Sequence, residues 1–239
     1  MRTIKLFTFI LFAFALFQTA SLNAANASDG RQKRELTGFH GISVSSGIDL
    51  RLTQKNVEEV FVEAESEDLD KIITKVEDGI LKIYIKEKSW WGLGWNNRTR
   101  KVYVSFINLD KIHASAGSDV SASSLLKFDK LEVDVSSGSD VKLELEANEV
   151  VAQTSSGSDL SLQGKAKFIR ADASSGSDLD AADLETKKCS ASASSGSDIK
   201  VNVTEELDAD ASSGAGIDYT GNPKTKNIHK SSGGDVDGR

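Results

Sequence analysis

The sequence predicts an all-β chain wound as a single-stranded parallel β-helix, a β-solenoid with coils of about 19–21 residues. Three observations carry that prediction. The pattern Ser-Ser-Gly-Ser-Asp-apolar occurs at Ser136–Val141, Ser155–Leu160, Ser174–Leu179 and Ser194–Ile199, with variants at Ser45–Leu50, Ser115–Val120, Ser212–Ile217 and Ser231–Val236. Apolar residues alternate with polar ones around each central glycine, which is the period of a strand. After residue 108 the only aromatic residues are Phe128, Phe168 and Tyr219, as a narrow core of small side chains requires.

Residues 1–27 read as a signal peptide. Arg2 and Lys5 precede an apolar run from Leu6 to Phe17, and Ala25-Asn26-Ala27 supplies a small-x-small cleavage site. The run is shorter than the roughly 20 residues that span a bilayer. Export follows as the expectation, to the periplasm, the outer-membrane surface or the medium. Cleavage removes two positive charges and no negative ones, so the formal charge moves from −7 to −9. That acidity argues against a nucleic-acid partner. One cysteine, Cys189, rules out an internal disulfide.

Residues 28–36 are polar and read as a flexible leader. Residues 37–239 form the solenoid, with irregular, longer coils over 37–110 and regular repeats over 111–239. The 70 residues between Gly47 and Gly117 hold enough chain for about three longer coils. Strand-like runs fall at Val60–Glu63, Ile72–Val76, Ile80–Ile85 and Val102–Ile107, with a turn at Glu77-Asp78-Gly79 and a short helix conceivable over Leu69–Lys75. From Gly117 onward the glycines recur at steps of 21, 19, 19, 20, 18 and 19 residues. Around Gly138 the alternation puts Val133, Val135, Ser137, Ser139, Val141, Leu143 and Leu145 inside. Each glycine marks a corner that needs an unusual backbone angle or leaves no space for a side chain.

Two features carry candidate chemistry. The first is a corner column, Asp49, Asp119, Asp140, Asp159, Asp178, Asp198 and Asp235, broken at Gly216. It reads either as solvent-facing aspartates bonding local backbone amides or as a calcium ladder. Two exposed carboxylates about 4.8 Å apart repel by only about 1 kcal/mol in water. Buried aliphatic side chains contribute several times that per coil. The column therefore needs no metal to persist, and the sequence favours a structural role with no metal site and no cofactor. The second feature is Ser89–Asn97 (SWWGLGWNN), where Trp90, Trp91 and Trp95 interrupt the pattern. These rings read as a flap over the core or as a contact surface for a glycan or partner. The serine columns lack a histidine in phase, so hydroxyl ladders are expected there rather than nucleophiles. His40, His113 and His229 read as surface residues.

Phe39–Leu52 (FHGISVSSGIDLRL), Val76–Ile85 (VEDGILKIYI), Lys101–Ile107 (KVYVSFI) and Ile112–Val120 (IHASAGSDV) occur in an order that resembles the auto-transporter adhesin, head GIN domain family. The resemblance covers nearly all of the chain after the signal. It implies an exported, right-handed parallel β-helix of a Bacteroidetes-type cell envelope, and it brings no catalytic residues with it. Ile107-Asn108 departs from the family, whose members often carry a proline-containing link there.

The expected function is that of a non-enzymatic envelope protein, adhesin-like or structural, that binds a surface, glycan or protein partner. The alternatives are a polysaccharide-active β-helix enzyme and a calcium-stabilised repeat protein. The enzyme would need longer coils with protruding loops around a carboxylate pair. The coils after Gly117 are short and uniform. Ser231–Arg239 stops partway through a coil, which predicts a homo-oligomer formed through solenoid edges or ends.

Overall fold

The computed structural model describes residues 30–86 and 100–239. Strands dominate: β1 (Arg31–Arg34), β2 (Gly41–Val44), β3 (Asp49–Gln54), β4 (Glu59–Ala64), β5 (Ile72–Glu77), β6 (Ile80–Ile85), β7 (Arg100–Phe106), β8 (Lys111–Ala114) and β9 (Asp119–Ala122). There follow β10 (Leu126–Ser136), β11 (Asp140–Ser155), β12 (Asp159–Ala173), β13 (Asp178–Ala193), β14 (Asp198–Ala211), β15 (Gly216–Thr220), β16 (Thr225–Lys230) and β17 (Asp235–Gly238). A four-residue helix, α1 (Ser66–Leu69), lies between β4 and β5. The chain is a β-solenoid of about seven turns.

Each regular coil has two legs. In β11 the first leg carries Val141, Leu143 and Leu145 inward, and the second carries Val150, Ala152 and Thr154. The strand bends between them without breaking. Equivalent residues stack in parallel register, for example Val141 on Leu160 and Ala152 on Ala171. The core is thus two facing sets of apolar columns, and each fully buried aliphatic side chain contributes about 1.5–3 kcal/mol. The second-leg column Ala152, Ala171, Ala191 and Ala209 keeps it thin.

At the corners two successive residues take left-handed angles, Ser137 (φ 57) and Gly138 (φ 67), and the other coils repeat this. A Cβ on Gly138 would have nothing within 4 Å. The glycine is therefore used for its backbone angle, and space plays no part. The sharp turn points Ser137 into solvent, against the inward position that alternation predicts, while Ser139 on the far side is fully buried.

The irregular region differs from three consecutive coils. Asp49 pairs directly with Asp119, and the amide of Gly47 donates to the carbonyl of Ala116 at 3.0 Å. The coil of β2 and β3 therefore lies between the coil of β8 and β9 on one side and that of β6 and β7 on the other. The intervening chain builds the end of the stack. There β4 lies antiparallel to β7, and β5 antiparallel to β6. Residues 31–34 of the expected flexible leader form β1, antiparallel to β4. The Arg31 guanidinium sits 4.7 Å from the ring centres of both Phe61 and Tyr103, which anchors it. The helix is centred earlier than the Leu69–Lys75 span considered from sequence, because Ile72 begins a strand.

The other end of the stack is charged. Lys226 and Lys230 stand in register with the buried Leu207 and Ala211, and both lysines are exposed.

Candidate functional site

The first legs form a sheet face with two outward columns. The corner column runs in continuous register as Asp49, Asp119, Asp140, Asp159, Asp178, Asp198, Gly216 and Asp235. The neighbouring column, two residues on, is Arg51, Ser121, Lys142, Ser161, Asp180, Lys200, Asp218 and Asp237. Between them the inward-pointing Val120, Val141, Leu160, Leu179, Ile199 and Ile217 leave a valley. The result is a groove of about 760 Å³ along the stack.

Carboxylates dominate this groove. Partial burial, then the adjoining Asp49 and Asp140 charges, push the Asp119 carboxyl above the ordinary 3.8. Partial burial, then Asp159 and Asp198, do the same to Asp178, with Lys200 opposing. Asp235 goes the other way, because Lys230 lies 2.6 Å from it and Val236 donates its amide at 3.0 Å. Among the described residues Asp235 is the only member of the column whose carboxylate accepts a backbone amide. Bonding of local amides, read from the sequence for the whole column, is therefore seen at one position. Arg51 bonds the Ser121 hydroxyl, and Lys200 lies 4.0 Å from Asp180. Gly216 interrupts the acids where a side chain would meet the Asp198 carboxylate at 2.6 Å.

Among the described residues no group of three or more His, Cys, Asp or Glu side chains is placed to hold a metal ion. The inner serines Ser118, Ser139, Ser158, Ser177 and Ser197 are fully buried and bond the corner backbone, as Ser158 does with the Ser155 carbonyl at 2.9 Å. His40 pairs with Asp110 at 2.9 Å and His113 with Asp134 at 3.1 Å, while His229 is exposed. Trp90, Trp91 and Trp95 lie outside the described residues. The second column of the groove escaped sequence reading because its residues vary from coil to coil. Its signal was positional, always two residues beyond the aspartate.

Stacked parallel strands with polar columns on one face and a packed, aliphatic interior define the class: a β-solenoid repeat protein. Residues 38–223 match the family described as putative auto-transporter adhesin, head GIN domain, and the chain belongs to that family. The fold is shared with a putative adhesin from Bacteroides fragilis (20% identity, 87% of this chain and 96% of that one, TM-score 0.82). It is shared also with a putative lipid binding protein from Parabacteroides distasonis (19% identity, 90% and 98%, TM-score 0.70). A third similar structure is a putative adhesin from Parabacteroides merdae (16% identity, 90% and 98%, TM-score 0.69). No curated protein matches the chain in sequence.

Proposed function

We propose that the chain is a non-enzymatic, exported cell-envelope protein that uses the first-leg face to hold a surface, glycan or protein partner. The groove carries this reading. It runs parallel to the solenoid axis and offers a carboxylate from the corner column at every coil but that of Gly216, about 4.8 Å apart. Such a repeat suits an extended partner that makes many weak contacts, with affinity from multivalency. Its excess of carboxylates favours groups that are cationic or rich in hydroxyls. The family description supports an adhesin-like role, and the apolar run Leu6–Phe17 followed by Ala25-Asn26-Ala27 supports export. Trp90, Trp91 and Trp95 remain candidate contact residues.

The test is a binding screen of the protein lacking residues 1–27 against glycans, host and envelope proteins, and lipid vesicles. Vesicles belong in it because one structural neighbour is called a putative lipid binding protein. A saturable partner is expected at physiological salt. Absence of binding in all three arms would overturn the reading. Fractionation of the producing cell with N-terminal sequencing tests export, with Ser28 expected as the first residue of the processed chain.

A further inference from the structure

We infer that Asp119 and Asp178, held one strand spacing from like charges within the aspartate column, cost the solenoid stability at neutral pH and release that cost on mild acidification. The geometry is the starting point. Parallel register fixes neighbouring aspartates one strand spacing apart, so the chain cannot separate them without breaking ladder hydrogen bonds. In the unfolded chain neighbours from Asp119 to Asp198 are about twenty positions apart, Asp49 and Asp119 are 70 apart, and they scarcely interact.

Asp119 on β9 faces Asp49 and Arg51 from β3 and Asp140 from β11. Asp178 on β13 faces Asp159 from β12, and Asp198 and Lys200 from β14. Arg51 and Lys142 stand in the neighbouring column at Asp119, and Lys200 at Asp178. Partial burial first, and the adjoining carboxylates second, hold both carboxyls above their ordinary 3.8. A folded carboxyl raised above its unfolded value costs stability at higher pH. That cost disappears as pH falls through the raised value toward 3.8. These two groups therefore favour the fold more as pH falls from 7 toward 3.8. Salt-bridged carboxylates such as Glu77 stay ionised through that window, because Glu77 is held at about 2.

Thermal melting of the processed protein and of Asp119→Asn/Asp178→Asn tests this. At pH 7 and low salt the variant is expected to melt about 2–4 °C higher. Near pH 4 the two should converge, and added sodium chloride should narrow the difference at pH 7. Asp172→Asn/Glu149→Gln, which removes the partners of Arg170 at 2.9 Å and Lys130 at 2.7 Å, is the charge-matched control and should gain nothing. A double variant that melts at or below wild type at pH 7, with an unchanged circular dichroism spectrum, overturns the inference. A gain of equal size in the control overturns it too, because net charge alone would then explain the effect.

Discussion

The backbone of Ser174 and the hydroxyl of Ser177 bond each other twice across one corner. The Ser174 amide donates to Ser177 Oγ at 3.3 Å, and that hydroxyl lies 2.8 Å from the Ser174 carbonyl, to which it donates. Ser155 with Ser158 and Ser194 with Ser197 repeat the arrangement. The buried serine thus closes the corner from inside while its apex neighbour faces water.

Replacing Ser177 by Ala should therefore cost about 1–2 kcal/mol, since the half-buried Ser174 carbonyl loses its donor and its amide loses its acceptor. Replacing the exposed Ser175 by Ala should stay within about 0.5 kcal/mol of wild type. Urea denaturation of the two variants separates them; equal effects would remove the inner hydroxyl from the account of the corner.

Two glycines should respond differently to alanine. At Gly176 (φ 65) nothing lies near the added methyl, so the cost is conformational, about 1 kcal/mol. At Gly164 (φ 113) the methyl would fall 2.1 Å from the Leu145 carbonyl oxygen of the preceding coil. Backbone blocks it there, and the loss should exceed about 3 kcal/mol. The difference in denaturation midpoint is the readout.

The alanine column limits core width. Ala171 is fully buried between Ala152 and Ala191 in register. Ala171→Leu should destabilise by about 1–3 kcal/mol through overpacking, again read from denaturation. A neutral outcome would mean the legs can separate without strain.

Glu77 carries the opposite sign to Asp119 and Asp178. Lys75 at 2.6 Å and Lys82 at 2.7 Å lower its carboxyl from 4.5 to about 2. Its stabilising contribution is present above pH 4.5 and is lost as pH falls toward 2. An NMR titration should place the Glu77 carboxyl well below the other exposed glutamates, and Lys82→Ala should move it up.

Cys189 is 3% exposed, and burial pushes its thiol from 9.0 up to about 12. A thiol reagent at pH 8 should leave the folded protein unlabelled and modify it at once in denaturant.

The regular coils were readable in the sequence because a strict period forces identical residues into register. Gly138, Gly157 and Gly176 announce their corners, and Val141, Leu160 and Leu179 their shared column. The irregular end was hidden for the converse reason. Asp49 and Asp119 lie 70 residues apart yet pair side by side, and no local pattern signals that β4 runs antiparallel to β7, whereas the turn at Glu77-Asp78-Gly79 did mark the reversal between β5 and β6. Leader residues Arg31–Arg34 looked like loop because their anchoring comes from Phe61 and Tyr103, far along the chain. Of the candidate site, the repeated aspartate was visible. The groove beside it was not, since Ser121, Lys142, Ser161 and Asp180 share a position without sharing a chemistry.

The measurement that bears most directly on function is partner binding by two tryptophan variants, one on each face. Ser161 lines the first-leg groove, whereas Ser192 faces outward from the second leg. With a partner from the binding screen, Ser161→Trp should lose most of the affinity by filling the groove, and Ser192→Trp should bind like wild type. Undiminished binding by a correctly folded Ser161→Trp, with loss in Ser192→Trp, would contradict the assignment of the first-leg face as the binding surface.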